Sequence, residues 1–169
     1  MNTKERRAAL AKILHQVSDP VTATTLAEQF GVSRQIIVGD IALLRAKGIR
    51  ILSTPRGYLT QRDHEGERYT IACQHDAAGL KEELYTIVDE GGCISDVIVE
   101  HPIYGQIVGT LHLHSRFDID RFCAQLQETQ ASPLSLLTEG IHLHTILCPD
   151  ENTYQRILVA LREKQFLVE

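Results

Sequence analysis

Apolar positions in the first sixty residues recur at helical spacing, whereas beyond residue 68 helical runs alternate with strand-like ones. Leu10, Ile13, Leu14 and Val17, supported by Ala8, Ala9 and Ala11, predict a first helix that Asp19-Pro20 stops. A second helix is expected to start between Thr22 and Thr25, where Thr25 and Glu28 fit a capping box. Leu26, Ala27 and Phe30 give it an apolar stripe, and Gly31 supplies the turn. Ser33 then reads as the N-cap of a longer helix, "VSRQIIVGDIALLRAKG", expected to bury Ile36, Ile37, Ile41, Leu43 and Leu44 and to end at Gly48. "IRILSTPRGYLT" has strand–turn–strand character with Pro55-Arg56-Gly57 at its tip.

The polar stretch "QRDHEGE" (61–67) reads as a linker. After it come a strand ("RYTIACQH"), a helix ending at Gly91-Gly92, two strands around the turn "HPIYGQ", and a helix presenting Ile119, Phe122, Cys123 and Leu126 on one face. A last strand ("GIHLHTILCP") and a last helix close the chain. The β-α-β-β-α-β-α order predicts an antiparallel sheet with helices on one face. The fold class is therefore α+β: an N-terminal winged helix-turn-helix domain over residues 1–62, followed by an antiparallel-sheet domain over 68–169.

Charge divides along the same boundary. Residues 1–60 hold nine Lys/Arg against four Asp/Glu, and residues 61–169 hold eight against eighteen. A module of net charge +5 is thus joined to one of −10, and the basic one suits a polyanion such as DNA. No apolar run approaches a membrane span, and the charged amphipathic start lacks a signal-peptide core, so a cytoplasmic protein without membrane contact is expected. The four cysteines are spread out with no C-x-x-C pair and read as reduced, mostly buried thiols; Cys148 stands out because it follows a histidine pair.

In a helix-turn-helix, the second helix of the pair enters the major groove. Its N-terminal and outward residues here are Ser33, Arg34, Gln35, Val38, Gly39 and Ala42. Arg34 suits a bidentate pair with guanine and Gln35 one with adenine. Arg45, Arg50 and Arg56 are placed for phosphates, with Arg56 on the wing. Gly39 departs from the polar or basic residue common there, at a helix cost of roughly 1 kcal/mol against alanine. "LAEQFGVSRQIIVGDIALLRAKG" resembles the helix-turn-helix of many bacterial repressors.

The histidines raise a second question. His142 and His144 are one residue apart, which on a strand puts both on one face, roughly 6.6 Å apart along the chain. His112 and His114 have the same spacing. Spacing alone leaves two readings open for each pair, metal ligands or polar residues on a wet face.

"VEHPIYGQIVG", "SRFDIDRF" and "PLSLLTEGIHLHTI", preceded by "ACQH" and "LKEELYTIVDEGG", resemble the three-histidine (3H) domain. Fused behind a winged helix, that domain marks niacin-responsive transcriptional repressors. The resemblance implies a dimeric repressor of niacin uptake and NAD synthesis genes that binds operator DNA with nicotinic acid as co-repressor, and not an enzyme. It also implies a divalent metal held by His75, Glu83, His142 and His144. Three imidazoles and a carboxylate suit Zn, Ni, Fe, Co or Mn without separating them. His112/His114 falls outside the matched set and reads as strand residues on a solvated or partly polar face.

For the effector, the turn "EHPIYG" offers His101 and Tyr104 as ring-stacking partners, and Arg116 in "SRFD" a partner for a carboxylate. The alternatives are a turn-stabilising role for His101 and an ion pair of Arg116 with Asp118 or Asp120. A regulator whose signal is the metal itself is the other functional reading. No glycine-rich phosphate loop or Ser/His/Asp-type constellation argues for an enzyme.

Overall fold

The computed structural model describes residues 2–60 and 66–169, so most of the expected linker, residues 61–65, lies outside the described residues. The chain divides into two compact units, Met1–Asp63 and His64–Glu169.

The first unit holds helices α1 (Thr3–Gln16), α2 (Ala23–Phe30) and α3 (Arg34–Ala46) and the hairpin β1 (Ile51–Thr54)–β2 (Gly57–Thr60). Leu10, Leu14, Leu26, Ile37, Ile41 and Leu44 meet in its core. Two expectations change. The N-cap of α2 is Thr22, whose side chain accepts the Thr25 N–H, so the Thr25/Glu28 box does not form. Val21 is held extended by its bridge to Tyr58, and the helix starts directly after it. Ile36 and Leu43 are exposed at 42% and 48%, because the buried stripe of α3 runs through positions 37, 41 and 44 and the other two lie a quarter-turn away. The near-buried Asp40 faces α1, where Arg6 grips it bidentately at 2.7 and 3.3 Å.

The second unit runs β3 (Glu67–Gln74), a 3-10 turn (Ala77–Gly79), α4 (Leu80–Asp89), β4 (Cys93–His101), β5 (Gly105–Leu113), α5 (Arg116–Glu128), a 3-10 turn (Leu134–Thr138), β6 (Ile141–Cys148) and α6 (Glu151–Glu163). The sheet order is β3-β6-β4-β5, with every pair antiparallel. The α+β reading and its element order hold. Leu84 and Ile87 of α4, Ile119 of α5, and Ile157 and Leu161 of α6 share one core with Ile71, Ile94, Leu113 and Ile146 of the sheet.

One irregularity shapes the sheet. Ile94 faces Leu113, but Asp96 faces Thr110, so Leu111 and His112 together oppose Ser95. This is a β-bulge, and His112 occupies its left-handed position with φ +52°. His112 is consequently buried at 6% exposure rather than solvated, while its neighbour His114 is exposed.

Candidate metal centre and nucleic-acid interface

Four side chains from three parts of the second unit converge. His75 follows β3, Glu83 sits on the buried face of α4, and His142 and His144 point the same way from β6, an inner strand of the sheet. Register fixes their neighbours: His142 lies opposite Cys73 of β3, and His144 between Ile71 of β3 and Val97 of β4. Glu83 is fully buried, and the three imidazoles are between 1% and 4% exposed. Two glycines shape the seat of His75. A Cβ on Gly140, which has φ +88°, would lie 2.2 Å from the His75 carbonyl oxygen, and one on Gly79 would lie 2.9 Å from the His75 side chain.

The hydrogen bonds determine which ring nitrogen faces inward. Nδ1 of His75 contacts the Asp76 carbonyl at 2.7 Å, Nδ1 of His142 the Gly140 carbonyl at 2.8 Å, and Nδ1 of His144 the Asp96 carbonyl at 2.7 Å. A carbonyl only accepts, so each Nδ1 carries the proton and each neutral ring turns its Nε2 lone pair inward. The Asp96 carbonyl is available because Ser95 has no partner on β6, which shifts the β4 register at that point.

All three Nε2 atoms surround the Glu83 carboxylate. His75 is in hydrogen-bond contact with Oε2, His142 is 3.2 Å from both oxygens, and His144 is 3.3 Å from Oε1. His144 Nε2 is buried and makes no hydrogen bond of acceptable geometry. Burial would raise the Glu83 carboxyl, but the charge of His144 and the contacts of all three imidazoles outweigh it and hold the group well below its ordinary range. Burial opposes charge on His144 and His75 too, and Glu83 overcomes it in both, raising them. With the rings neutral, four acceptors face one another without a donor. A cation among them satisfies all four, including the orphaned His144 Nε2, so the donor set fits a divalent metal. The ligand atoms of His75, Glu83 and His142 already lie within 4.8 Å of one another.

The sequence reading missed Cys73. Cys73, fully buried, lies opposite His142, and burial together with Glu83 pushes its thiol strongly up. Cys148, singled out for following the histidine pair, instead belongs to the core at the far end of β6. The spacing that would have pointed to Cys73 is its place two residues before His75 at the end of the same strand.

The effector residues do not assemble. His101 and Tyr104 sit at the tip of the β4–β5 hairpin, where Nδ1 of His101 accepts the N–H groups of Ile103 and Tyr104. This is the turn-stabilising role. Arg116 starts α5 at the other end of that hairpin, roughly 25 Å away along strands rising about 3.3 Å per residue. Arg116 pairs with Asp89 at 2.8 Å and lies over the Tyr85 ring, not with Asp118 or Asp120. Asp118 instead caps the β5–α5 junction by accepting the His114 N–H, and Asp120 contacts Tyr85 and Lys81. A cavity of about 280 Å³ opens beside His142, walled by Ile98, Val99, Glu100, Thr138, Ile141 and Leu143.

In the first unit, Arg34 and Gln35 are exposed on the opening turn of α3. Ser33 caps that turn by accepting the Ile36 N–H, and Val38 packs against the core. Arg45 holds the wing, donating to the Ile51 carbonyl at 2.9 Å and to Ser53 Oγ at 2.7 Å, and Arg56 pairs with Asp19 at 3.4 Å. The expected phosphate readers Arg45 and Arg56 thus have protein partners, whereas Arg34, Gln35 and Arg50 face solvent.

No helix among the described residues is long and apolar enough to cross a membrane. The HTH domain family matches residues 6–59 and the 3H domain family residues 68–169. The chain is 43% identical over 166 residues to the "Probable transcription repressor NiaR" of Thermotoga maritima, covering 98% of this chain and 95% of that protein. It is 38% identical over 168 residues to the "Transcription repressor NadR" of Bacillus subtilis, covering 97% and 93%. With both domains matched in order and relatives aligned over nearly their whole length, the chain belongs to the family of transcription repressors, not enzymes, that place a helix-turn-helix domain before a 3H domain.

Proposed function

We propose that this protein is a dimeric repressor of niacin uptake or NAD synthesis genes, with nicotinic acid as co-repressor and a divalent metal resident among His75, Glu83, His142 and His144. The observation that carries the reading is the convergence of three Nδ1-anchored imidazoles on one buried carboxylate. Without an ion the set relies on protonated imidazoles, which Glu83 favours; a divalent cation would satisfy all four groups with the rings neutral. A bound ion supplies a Lewis-acid anchor for a carboxylate or a pyridine nitrogen.

The chain's own residues do the rest. The backbone carbonyls of Asp76, Gly140 and Asp96 aim the rings, and Glu83 neutralises part of the positive charge. The apolar cavity beside His142 suits a pyridine ring, in place of the dispersed trio His101, Tyr104 and Arg116. In the first unit Arg34 and Gln35 read bases, and Arg50 contacts a phosphate. A dimer places two such helices about 34 Å apart for successive major grooves. Nicotinate represses by binding the DNA-competent state better than the other.

A gel shift with an operator fragment tests this. Nicotinate tightens wild-type binding, and Arg34→Ala weakens it with nicotinate present. Equal operator affinity with and without nicotinate removes the co-repressor; a chelator effect without a nicotinate effect favours the metal itself as the signal.

A further inference from the structure

We propose that the helix-free face of the second unit's sheet seats a second copy of this chain, over a patch centred on Val108, Ile98 and Leu143. The patch reaches Ile141 on β6 and Ile103 and Tyr104 at the β4–β5 tip. The inference rests on the dimeric reading above and names the surface that makes the dimer. Register defines the patch: Ile98 lies opposite Val108 of β5 on one side and Leu143 of β6 on the other. The neighbouring row, Gly109, Val97, His144 and Ile71, points the other way, to the face where α4, α5 and α6 join the core.

An antiparallel sheet with one solvated face normally puts polar side chains there. β3 does so, with Arg68, Thr70 and Gln74 exposed on that face. β6 does not: alternation puts Ile141, Leu143 and Leu147 there, so the strand is apolar on both sides. Val108 is 56% exposed, Ile141 47%, Ile103 81% and Tyr104 76%. β5 is also an edge strand without a charge or a proline, the usual guards against edge pairing. Its one guard, the bulge at His112, lies at the far end from Val108.

The charge pattern selects the occupant. Residues 93–115 hold no Lys or Arg, so the patch has no cation for a phosphate. Of its two carboxylates, Asp96 accepts the Thr145 N–H at 3.0 Å, and Glu100 stands at the rim beside Gln106. A second copy brings the same net negative charge, and here the two copies can meet with little of it between them. It also brings the same apolar row, which is what a two-fold isologous contact requires. The four exposed side chains offer roughly 500 Å², over half of the about 800 Å² that each partner gives to a standard interface.

The patch borders the cavity beside His142. Ile98, Ile141 and Leu143 belong to both, because the pairing of β4 with β6 ends at Ile98 and Leu143. A second copy on the patch therefore rests against walls of the cavity assigned to the pyridine ring, a short route from effector to dimer geometry.

Sedimentation equilibrium of the full chain measures the dimer dissociation constant, with far-ultraviolet circular dichroism as the check on folding. Wild type is expected to dimerise. Val108→Glu sets a like charge on both sides of the contact and should raise the dissociation constant at least about 100-fold. Tyr104→Asp, at an exposed turn that tolerates it, should raise it at least about tenfold and carries the test if Val108→Glu does not fold. Thr70→Glu, on the same face but outside the patch, should change it less than about twofold. Folded patch variants that dimerise as tightly as wild type overturn this face and leave the dimeric reading standing. Dissociation by Thr70→Glu equal to that by Val108→Glu also overturns it. A wild type that stays monomeric removes the dimeric reading, and this face with it.

Discussion

His142/His144 and His112/His114 are both written H-x-H, yet they are built differently. The first pair lies on a regular inner strand, where alternation alone puts both rings on one face, and a carboxylate brought by α4 stands at their focus. The second lies at an edge strand's bulge, where alternation is broken and a left-handed residue restores the convergence. One pair gathers around a hard carboxylate in full burial; the other is half open and faces a thiol. Identical spelling therefore predicts neither burial nor partners. The strand's regularity and what packs against it decide both.

The largest expected difference between the pairs comes from Glu83→Gln. The change keeps the shape but removes the charge at the focus of three imidazoles, and metal affinity there should fall at least about 100-fold. Titration of the stripped variant with cobalt measures it. An unchanged affinity would mean that Glu83 is not a ligand.

Stability of the metal-free protein separates the pairs next. His144→Ala removes a wholly buried ring beside a buried carboxylate and should cost about 2–4 kcal/mol in urea unfolding. His114→Ala, at an exposed position, should cost under about 1 kcal/mol. Equal losses would mean that the two environments do not differ as described.

A third, smaller contrast uses glycines. Gly140→Ala adds left-handed strain and a collision with the His75 carbonyl, for about 2–3 kcal/mol. Gly105→Ala, at the tip of the hairpin carrying the other pair, has φ +69° but open space, and should cost about 1 kcal/mol. Thermal melts of the two variants rank them. The smallest effect is expected at Gly39→Ala on α3, where a Cβ meets nothing; helix propensity should stabilise the protein by about 0.5–1 kcal/mol.

The order of elements was legible in the sequence because periods of 3.6 and 2 are local properties. "CISDVIVEH" coincides with β4 for that reason. What escaped was set by contacts between segments. Thr22 rather than Thr25 caps α2 because Tyr58 holds Val21 extended, and Arg45 turns to the wing because Ile51 and Ser53 fold back onto it. The bulge at His112 follows from register against Ser95, which no property of "LHLHS" announces. His75, Glu83, His142 and His144 were named by resemblance, and the structure brings them together. His101, Tyr104 and Arg116 were joined by chemical suitability alone, and the hairpin separates them.

The central claim is that the buried imidazole–carboxylate set holds a metal through which nicotinate acts. Calorimetric titration of nicotinate into metal-loaded and chelator-stripped protein, under identical buffer and salt, tests it most directly. The account predicts saturable binding to the loaded protein and a loss of at least about tenfold in affinity on stripping, restored by adding the metal back. Equal nicotinate affinity in both samples would contradict it.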